Sequence, residues 1–326
     1  MVVVAVPGGL GDFGRLVVDA LLETGKHEVY SLTRKMPVQV EKRRNPEGRE
    51  YFPVIEVEYA NVAQLTKALA SHKVHTVVST LNVDFQSVSD AQLNLIEAAA
   101  AAGCVKRFAP SEYNIDYDLD DHILPYPEKR FHVAARRAVE KTQLEYTYFY
   151  SGMFMDYFAL PRIQTHMRHL YTVLDIEHNE AAIPGNGEAA MAMTFTKDVA
   201  KFVAGSLDLE KWPKVSLIVG SEPTVNELVK LAESIRGSKL DVRYDSLESL
   251  KSHEVRLLEG NEAIGDKFQG GRDQLKALVC DLGASIALGA YHLSKVADAV
   301  NLVPLLEDKI GAPVRIDQFL GQYWSS

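Results

Sequence analysis

Five apolar residues, Val2-Val3-Val4-Ala5-Val6, run straight into Gly8-Gly9-Leu10-Gly11-Asp12-Phe13-Gly14 and then into a helical pattern carrying Leu16, Val17, Ala20 and Leu21. A buried strand, a glycine-rich turn and an amphipathic helix in immediate succession constrain the chain strongly. Glycine tolerates the backbone angles of so tight a reversal, and the amides at the start of the helix, lacking carbonyl partners, form an anion site. The same order then recurs. Short β-branched runs at Glu28 to Leu32, Val54 to Val57, Thr76 to Ser79, Lys106 to Ala109 and Tyr146 to Tyr150 alternate with helical patterns at Val62 to Ala70, Ala91 to Ala102 and Phe131 to Glu140.

Such alternation predicts βαβ units and a parallel sheet covered on both faces. The expected fold class is α/β, a Rossmann doubly wound parallel sheet with a smaller C-terminal substrate lobe. Residues 1–152 form the dinucleotide-binding domain, rejoined by about 190–222, where Val215 to Val219 reads as a returning strand. Residues 153–189 and 223–326 are assigned to the substrate lobe, with helical patterns at Val225 to Ile235, Leu247 to Leu258 and Arg272 to Leu288. At 326 residues the chain exceeds what one core usually serves, which suits this division.

Composition narrows the partners. A net charge of −9 opposes binding to phosphate backbones, so nucleic acid is not expected. No stretch approaches the length of a membrane span, and none begins like a secretory signal. Two widely spaced cysteines, Cys104 and Cys280, imply reduced thiols and a cytoplasmic location without a disulfide. The oligomeric state stays open.

The turn Gly8 to Gly14 has the spacing G-x-x-G-x-x-G, and its place between strand and helix marks a cradle for a dinucleotide pyrophosphate. Gly8, Leu10, Gly11, Asp12, Phe13 and Gly14 are therefore cofactor candidates. Asp12, an acid beside a diphosphate, is expected to cap backbone donors at the helix start. At the end of the second strand stand Thr33, Arg34 and Lys35, where domains preferring NADH place an acid on the ribose. Cations there suit a 2′-phosphate, with Arg34 the stronger candidate for its planar, bidentate guanidinium, so NADPH is the expected cofactor. Lys42 is within reach of the same phosphate. The alternative is that these cations form a solvated basic loop.

Several segments together resemble the NmrA-like and isoflavone-reductase-like atypical short-chain dehydrogenases. They are the glycine turn, Val78-Ser79-Thr80, Arg107-Phe108-Ala109-Pro110-Ser111-Glu112-Tyr113, Glu145-Tyr146-Thr147-Tyr148 running to Phe154-Met155-Asp156-Tyr157-Phe158, and Gly185 to Gly187 followed by Phe195-Thr196-Lys197-Asp198-Val199-Ala200. The resemblance extends to about residue 235. It implies that Thr80, Leu81, Asn82 and Ser111 border the cofactor and that Tyr113 lies near the nicotinamide. Ser111 is equally well read as a turn residue, and Tyr113 and Tyr157 as half-buried aromatics. Met153, Phe154 and Tyr157 are candidates for an apolar substrate wall or for packing between lobes.

The family's reductases carry a lysine on the helix that here begins near Phe131, and gapless matching puts His132 at that position. His132 and Lys129, one helical turn earlier, are the candidate proton-handling residues; either is also readable as structural or solvated. The Tyr-x-x-x-Lys pair of ordinary short-chain dehydrogenases is absent. His166 and His169 lack a third partner at zinc spacing, and no metal site is expected. Three functions stay open: an NADPH-dependent reductase of a small apolar or aromatic molecule, a non-catalytic dinucleotide sensor that binds a protein partner, and a redox-neutral isomerase, cyclase or dehydratase.

Overall fold

In the computed structural model, which describes residues 1–325, the apolar runs become a six-stranded parallel sheet. Its strands are β1 (Val3–Pro7), β2 (Glu28–Thr33), β3 (Val54–Glu56), β4 (Thr76–Val78), β5 (Arg107–Ala109) and β6 (Glu145–Tyr146), in the spatial order β3-β2-β1-β4-β5-β6. The order reverses between β1 and β4, so the carboxyl ends of those two strands flank the crevice where ligands of open α/β sheets sit.

Side-chain alternation along β1 sorts the two layers. Val4 and Val6 face a core with Val17, Val18 and Leu21 of α1 (Gly14–Glu23) and with Phe202 and Val203 of the Thr196–Ser206 helix. Ala5 faces the opposite core, built with Leu65 and Leu69 of α2 (Val62–Ser71), Leu95 and Ile96 of α3 (Gln86–Ala101) and Ala135 and Val139 of α4 (Lys129–Val139). Both faces of β1 are dry, which explains why its sequence is a continuous apolar run and not an alternating one.

The expected sixth strand, Tyr146 to Tyr150, changes neighbours at Thr147. Residues Glu145–Tyr146 pair with Arg107 and Phe108, whereas Tyr148–Tyr150 pair in parallel with Val215–Leu217, which in turn pairs with Val300–Asn301. At the crossover the buried Thr147 hydroxyl is hydrogen-bonded to Ser216 Oγ at 2.7 Å. The return of Val300–Asn301 lies in a stretch that the sequence reading assigned wholly to the substrate lobe.

The second half of the chain holds a further parallel pair, Glu180–Pro184 with Asp241–Asp245, joined through the Val225–Arg236 helix. Thr224 and Glu227 form a capping box at the start of this helix, and Gly237 closes it in the left-handed conformation at φ 74°. The expected helix from Leu247 to Leu258 is much shorter, Leu247–Lys251, because the chain turns out at His253 with φ 57° and re-enters a helix only at Glu259. Both cysteines are free.

One buried ion cluster ties α4 to the loop after β5. Arg136 of α4 donates from Nε to both Glu112 oxygens at 2.8 Å and from Nη1 to Asp116 Oδ1 at 2.5 Å, with the Arg136 and Glu112 side chains almost wholly inaccessible. Arg136→Leu strands the Glu112 carboxylate without its cation and is expected to cost about 3–5 kcal/mol in urea unfolding, with the Glu112→Leu/Arg136→Leu double variant recovering part of the loss. A single-variant cost below about 1 kcal/mol would show that water or another group takes over.

Candidate functional site

The glycine turn is built around contacts that exclude a side chain. A Cβ on Gly14 would stand 2.1 Å from the Gly8 carbonyl and 2.5 Å from Thr80 Oγ1; Gly8, at φ 78°, would put one 2.8 Å from the Thr80 carbonyl. Thr80 closes the contact from β4, donating through both its amide (2.9 Å) and its hydroxyl (2.8 Å) to the Pro7 carbonyl. Among the described residues the amides of Leu10, Asp12, Phe13 and Gly14 have no carbonyl partner. Unpartnered donors at a helix start, in a turn closed to side chains, fit a diphosphate.

The expected cap from Asp12 does not form. Phe13 occupies the capping position without a side-chain bond, and Asp12 is exposed, with no hydrogen-bond partner among the described residues. The carboxylate takes neither of the amides left free at Phe13 and Gly14, and the next amide along, that of Arg15, is already bound to the Gly11 carbonyl at 3.2 Å. The guanidinium of Arg15 binds the Leu10 and Gly11 carbonyls and His166 Nε2, holding the turn from outside.

From this turn a cavity of about 660 Å³ runs along the carboxyl ends of β1, β4 and β5 to residues of the second half of the chain. Its walls include Gly8, Gly11, Asp12, Phe13, Thr80, Leu81, Asn82, Ser111, Tyr113, His132, Met153, Phe154 and Tyr157, all singled out from the sequence. Leu10 lies outside it and is 40% exposed; Gly14 is packed beneath the turn, against Gly8. Arg34 and Lys35 lie beyond the cavity at the exposed end of β2, and neither makes an ion pair among the described residues. Lys42 stands over the Phe52 ring and 3.8 Å from Glu50.

Phe13 packs on Phe154 and Tyr113, with ring centroids 5.4 and 4.7 Å away. The Tyr113 hydroxyl donates to the Ser79 carbonyl at 2.9 Å, so Tyr113 offers the cavity a ring and no free hydroxyl. Ser111 is held by its backbone: its amide donates to Gln92 Oε1 and its carbonyl faces His132.

His132 lines the cavity but is nearly inaccessible, with Nδ1 3.1 Å from the Ser111 carbonyl. Burial, aided by the nearby Arg136 cation, pushes its imidazole down to about 3. The ring is therefore neutral at physiological pH. A carbonyl only accepts, so Nδ1 carries the proton and Nε2 presents a lone pair. His132 is thus an acceptor here, not an acid. Lys129, although one turn away, does not share its space. It is the first residue of α4, and its ammonium turns back to the Leu119 carbonyl at 2.5 Å and Asp121 at 2.7 Å, outside the cavity. Helical spacing brought the two backbone positions to one face; the anionic loop before the helix took the lysine side chain elsewhere.

Other cavity residues carried no sequence signal of their own. Asn114, Tyr117, Tyr126 and Tyr291 line the wall around His132, and Tyr117 stacks on its ring at 3.8 Å and 9°. Tyr126 donates to Asp84 at 3.2 Å, and Arg168 reaches the same carboxylate at 3.6 Å. The far wall is one face of the Gly271–Ala287 helix: Gln274, Ala277, Leu278, Asp281 and Leu282. Their spacing of three and four was visible in the sequence as a helical stripe, but nothing told a cavity wall from a core face. His253 meets Asp281 at 2.9 Å on that wall. His166 and His169 are not joined by further ligands, and no metal-binding cluster is found among the described residues. No helix there is long and apolar enough to cross a membrane.

Comparison with known proteins fits this geometry. The NmrA-like family model matches residues 2–272. The chain belongs to the NmrA-like family. It is 35% identical over 278 residues to Oxidoreductase BOA1 of Botryotinia fuckeliana, covering 83% of this chain and 89% of that protein. Oxidoreductase swnN of Metarhizium robertsii is 30% identical over 292 residues, covering 81% and 82%. Among solved structures, the pinoresinol-lariciresinol and phenylcoumaran benzylic ether reductases superpose with a TM-score of 0.73 at 25% identity, over 98% of each chain. The NADPH complex of leucoanthocyanidin reductase from Vitis vinifera shares the fold of this NmrA-like protein, with a TM-score of 0.72 at 19% identity over 98% of this chain and 99% of that one.

A depressed His132 has a testable sign. The unfolded imidazole takes its proton near 6.5 and the folded one only near 3, so acidification below 6.5 favours the unfolded chain. Between pH 7 and pH 5 the wild type should lose about 2 kcal/mol more stability than His132→Gln in urea unfolding. Equal losses in the two proteins would show that His132 is not held neutral.

Proposed function

We propose that the protein is an NADPH-dependent reductase acting on a small, largely apolar molecule, of the aromatic or secondary-metabolite kind, in the cytoplasm. The observation that carries this reading is the continuity of one cavity from a diphosphate-shaped glycine turn to an enclosed wall of Met153, Phe154 and Tyr157. Its curated relatives named as oxidoreductases, and its structural neighbours named as reductases, support the same reading.

In this reading Gly8, Gly11 and the amides through Gly14 hold the diphosphate, while Thr80, Leu81, Asn82 and Ser111 line the path toward the nicotinamide end. Leu10 and Asp12 border the turn from the solvent side. Arg34, with Lys35 beside it, is the charge for the 2′-phosphate, and its freedom from carboxylates leaves it available. When bound, NADPH supplies a hydride. The residues of the chain orient the acceptor and exclude water: Tyr113 and Phe13 present ring faces, Met153, Phe154 and Tyr157 close the apolar side, and His132 accepts a hydrogen bond through Nε2. Lys129 has no part at the reacting atoms.

The sensor reading draws on one feature, the neutral imidazole where the family's reductases carry a lysine. It predicts dinucleotide binding without turnover and leaves an apolar cavity of this size without an occupant. The deciding experiment is calorimetric titration with NADPH and NADH, wild type beside Arg34→Ala. NADPH affinity should fall about tenfold or more in the variant while NADH affinity is unchanged, as expected for loss of one charge-assisted phosphate contact. If the wild type binds neither dinucleotide, reductase and sensor both fall.

A further inference from the structure

The cavity contains a hydroxyl aimed by its surroundings. Asn114 sends its Nδ2 amide to two phenol oxygens at once, Tyr117 Oη and Tyr291 Oη, each at 3.3 Å. A phenol oxygen that accepts in this way directs its own proton elsewhere. Both rings border the cavity; Tyr291 is wholly inaccessible and braces the pair, whereas Tyr117 is 6% exposed. Among the described residues the Tyr117 hydroxyl finds no acceptor. Its ring cannot swivel away, being stacked face to face on His132 at 3.8 Å.

The stacking sets the ring that carries the Tyr117 O–H against the neutral His132 ring, whose Nε2 is a lone-pair acceptor. The loop carrying Tyr117 is pinned by the Glu112 and Asp116 bonds to Arg136, so the pair is preorganised and not formed on demand. Burial also pushes the Tyr117 phenol well above its usual range, which keeps it protonated and a donor at any physiological pH.

From this geometry we infer that Tyr117 is the hydrogen-bond donor to a carbonyl oxygen of the substrate, and that the substrate class is an aryl ketone or enone. The inference rests on the reductase reading above. NADPH, when bound, would supply a hydride to the carbonyl carbon or to the conjugated β-carbon, and the displaced electron pair would gather on the oxygen that the Tyr117 O–H holds by a hydrogen bond. The oxyanion would take its proton from water at the mouth of the cavity, so NADPH and one proton would be consumed per carbonyl or enone reduced.

Benzylideneacetone, labelled with carbon-13 at the carbonyl, serves as the probe, and Tyr117→Phe as the variant, since it keeps the stacked ring. Two readouts are taken. Without cofactor, the carbonyl resonance should move downfield on binding to the wild type and stay near its unbound position in Tyr117→Phe. With NADPH, the variant should lose roughly 10²-fold or more in kcat with NADPH affinity unchanged. Unchanged NADPH affinity also shows that the variant is folded. A downfield shift retained in the variant, a kcat within threefold of wild type, or a wild type that binds NADPH yet neither binds nor reduces the probe would each overturn the assignment. Absence of NADPH binding in the wild type would instead overturn the reductase reading on which it stands.

Discussion

The charge of Arg136 is the constraint on which the site depends. It is nearly inaccessible, it has Glu112 and Asp116 as partners, and it sits on the helix that carries His132. Buried charges tolerate little displacement, because each lost hydrogen bond leaves a desolvated group behind. The pairing therefore fixes the loop from Ser111 to Asp116 relative to α4. Three cavity features follow from that one registration: the Ser111 carbonyl meets His132 Nδ1, Asn114 meets two phenols, and Tyr117 lies flat on the imidazole. The same cation helps to keep His132 uncharged. A structural ion pair thus also sets the polarity of the chemistry.

The cofactor half is organised by sterics instead. Gly8, Gly14 and Thr80 approach so closely that the turn and the end of β4 behave as one piece. Amides left without carbonyls by this packing are where an anion is wanted. The apolar wall shares the core of the parallel sheet through Met153, while the far helix brings two smaller clusters of its own, around Leu275 and Val279 and around Cys280 and Ala284.

Legibility in the sequence tracks the range of the interaction. The turn and most of the strand and helix order could be read because strand, glycines and helix are local and in register. Lys129 was misplaced because periodicity gives the side of a helix and not the length of a side chain's reach; the Leu119 carbonyl and Asp121 decided it from the preceding loop. Asp12 was misread for a similar reason: its place before the helix was legible, but not that its exposed carboxylate leaves the Phe13 and Gly14 amides free. The crossover at Thr147 depended on strands Val215–Leu217 and Val300–Asn301, distant in sequence. Tyr117 and Tyr291 are separated by 174 positions, and their relation through Asn114 exists only in three dimensions.

The far wall of the cavity is a single face of the Gly271–Ala287 helix, with the sheet and the glycine turn on the opposite side. Substitutions at Gln274, Ala277, Leu278 or Leu282 change the shape and polarity seen by a ligand without disturbing Arg136, Thr80 or the strands. The shape of the cavity and the ion pair beside it are in this sense separately heritable. Relatives sharing the turn and the sheet can diverge in what they accept by altering one helical stripe, and a designer wishing to redirect the protein has the same short stripe to vary.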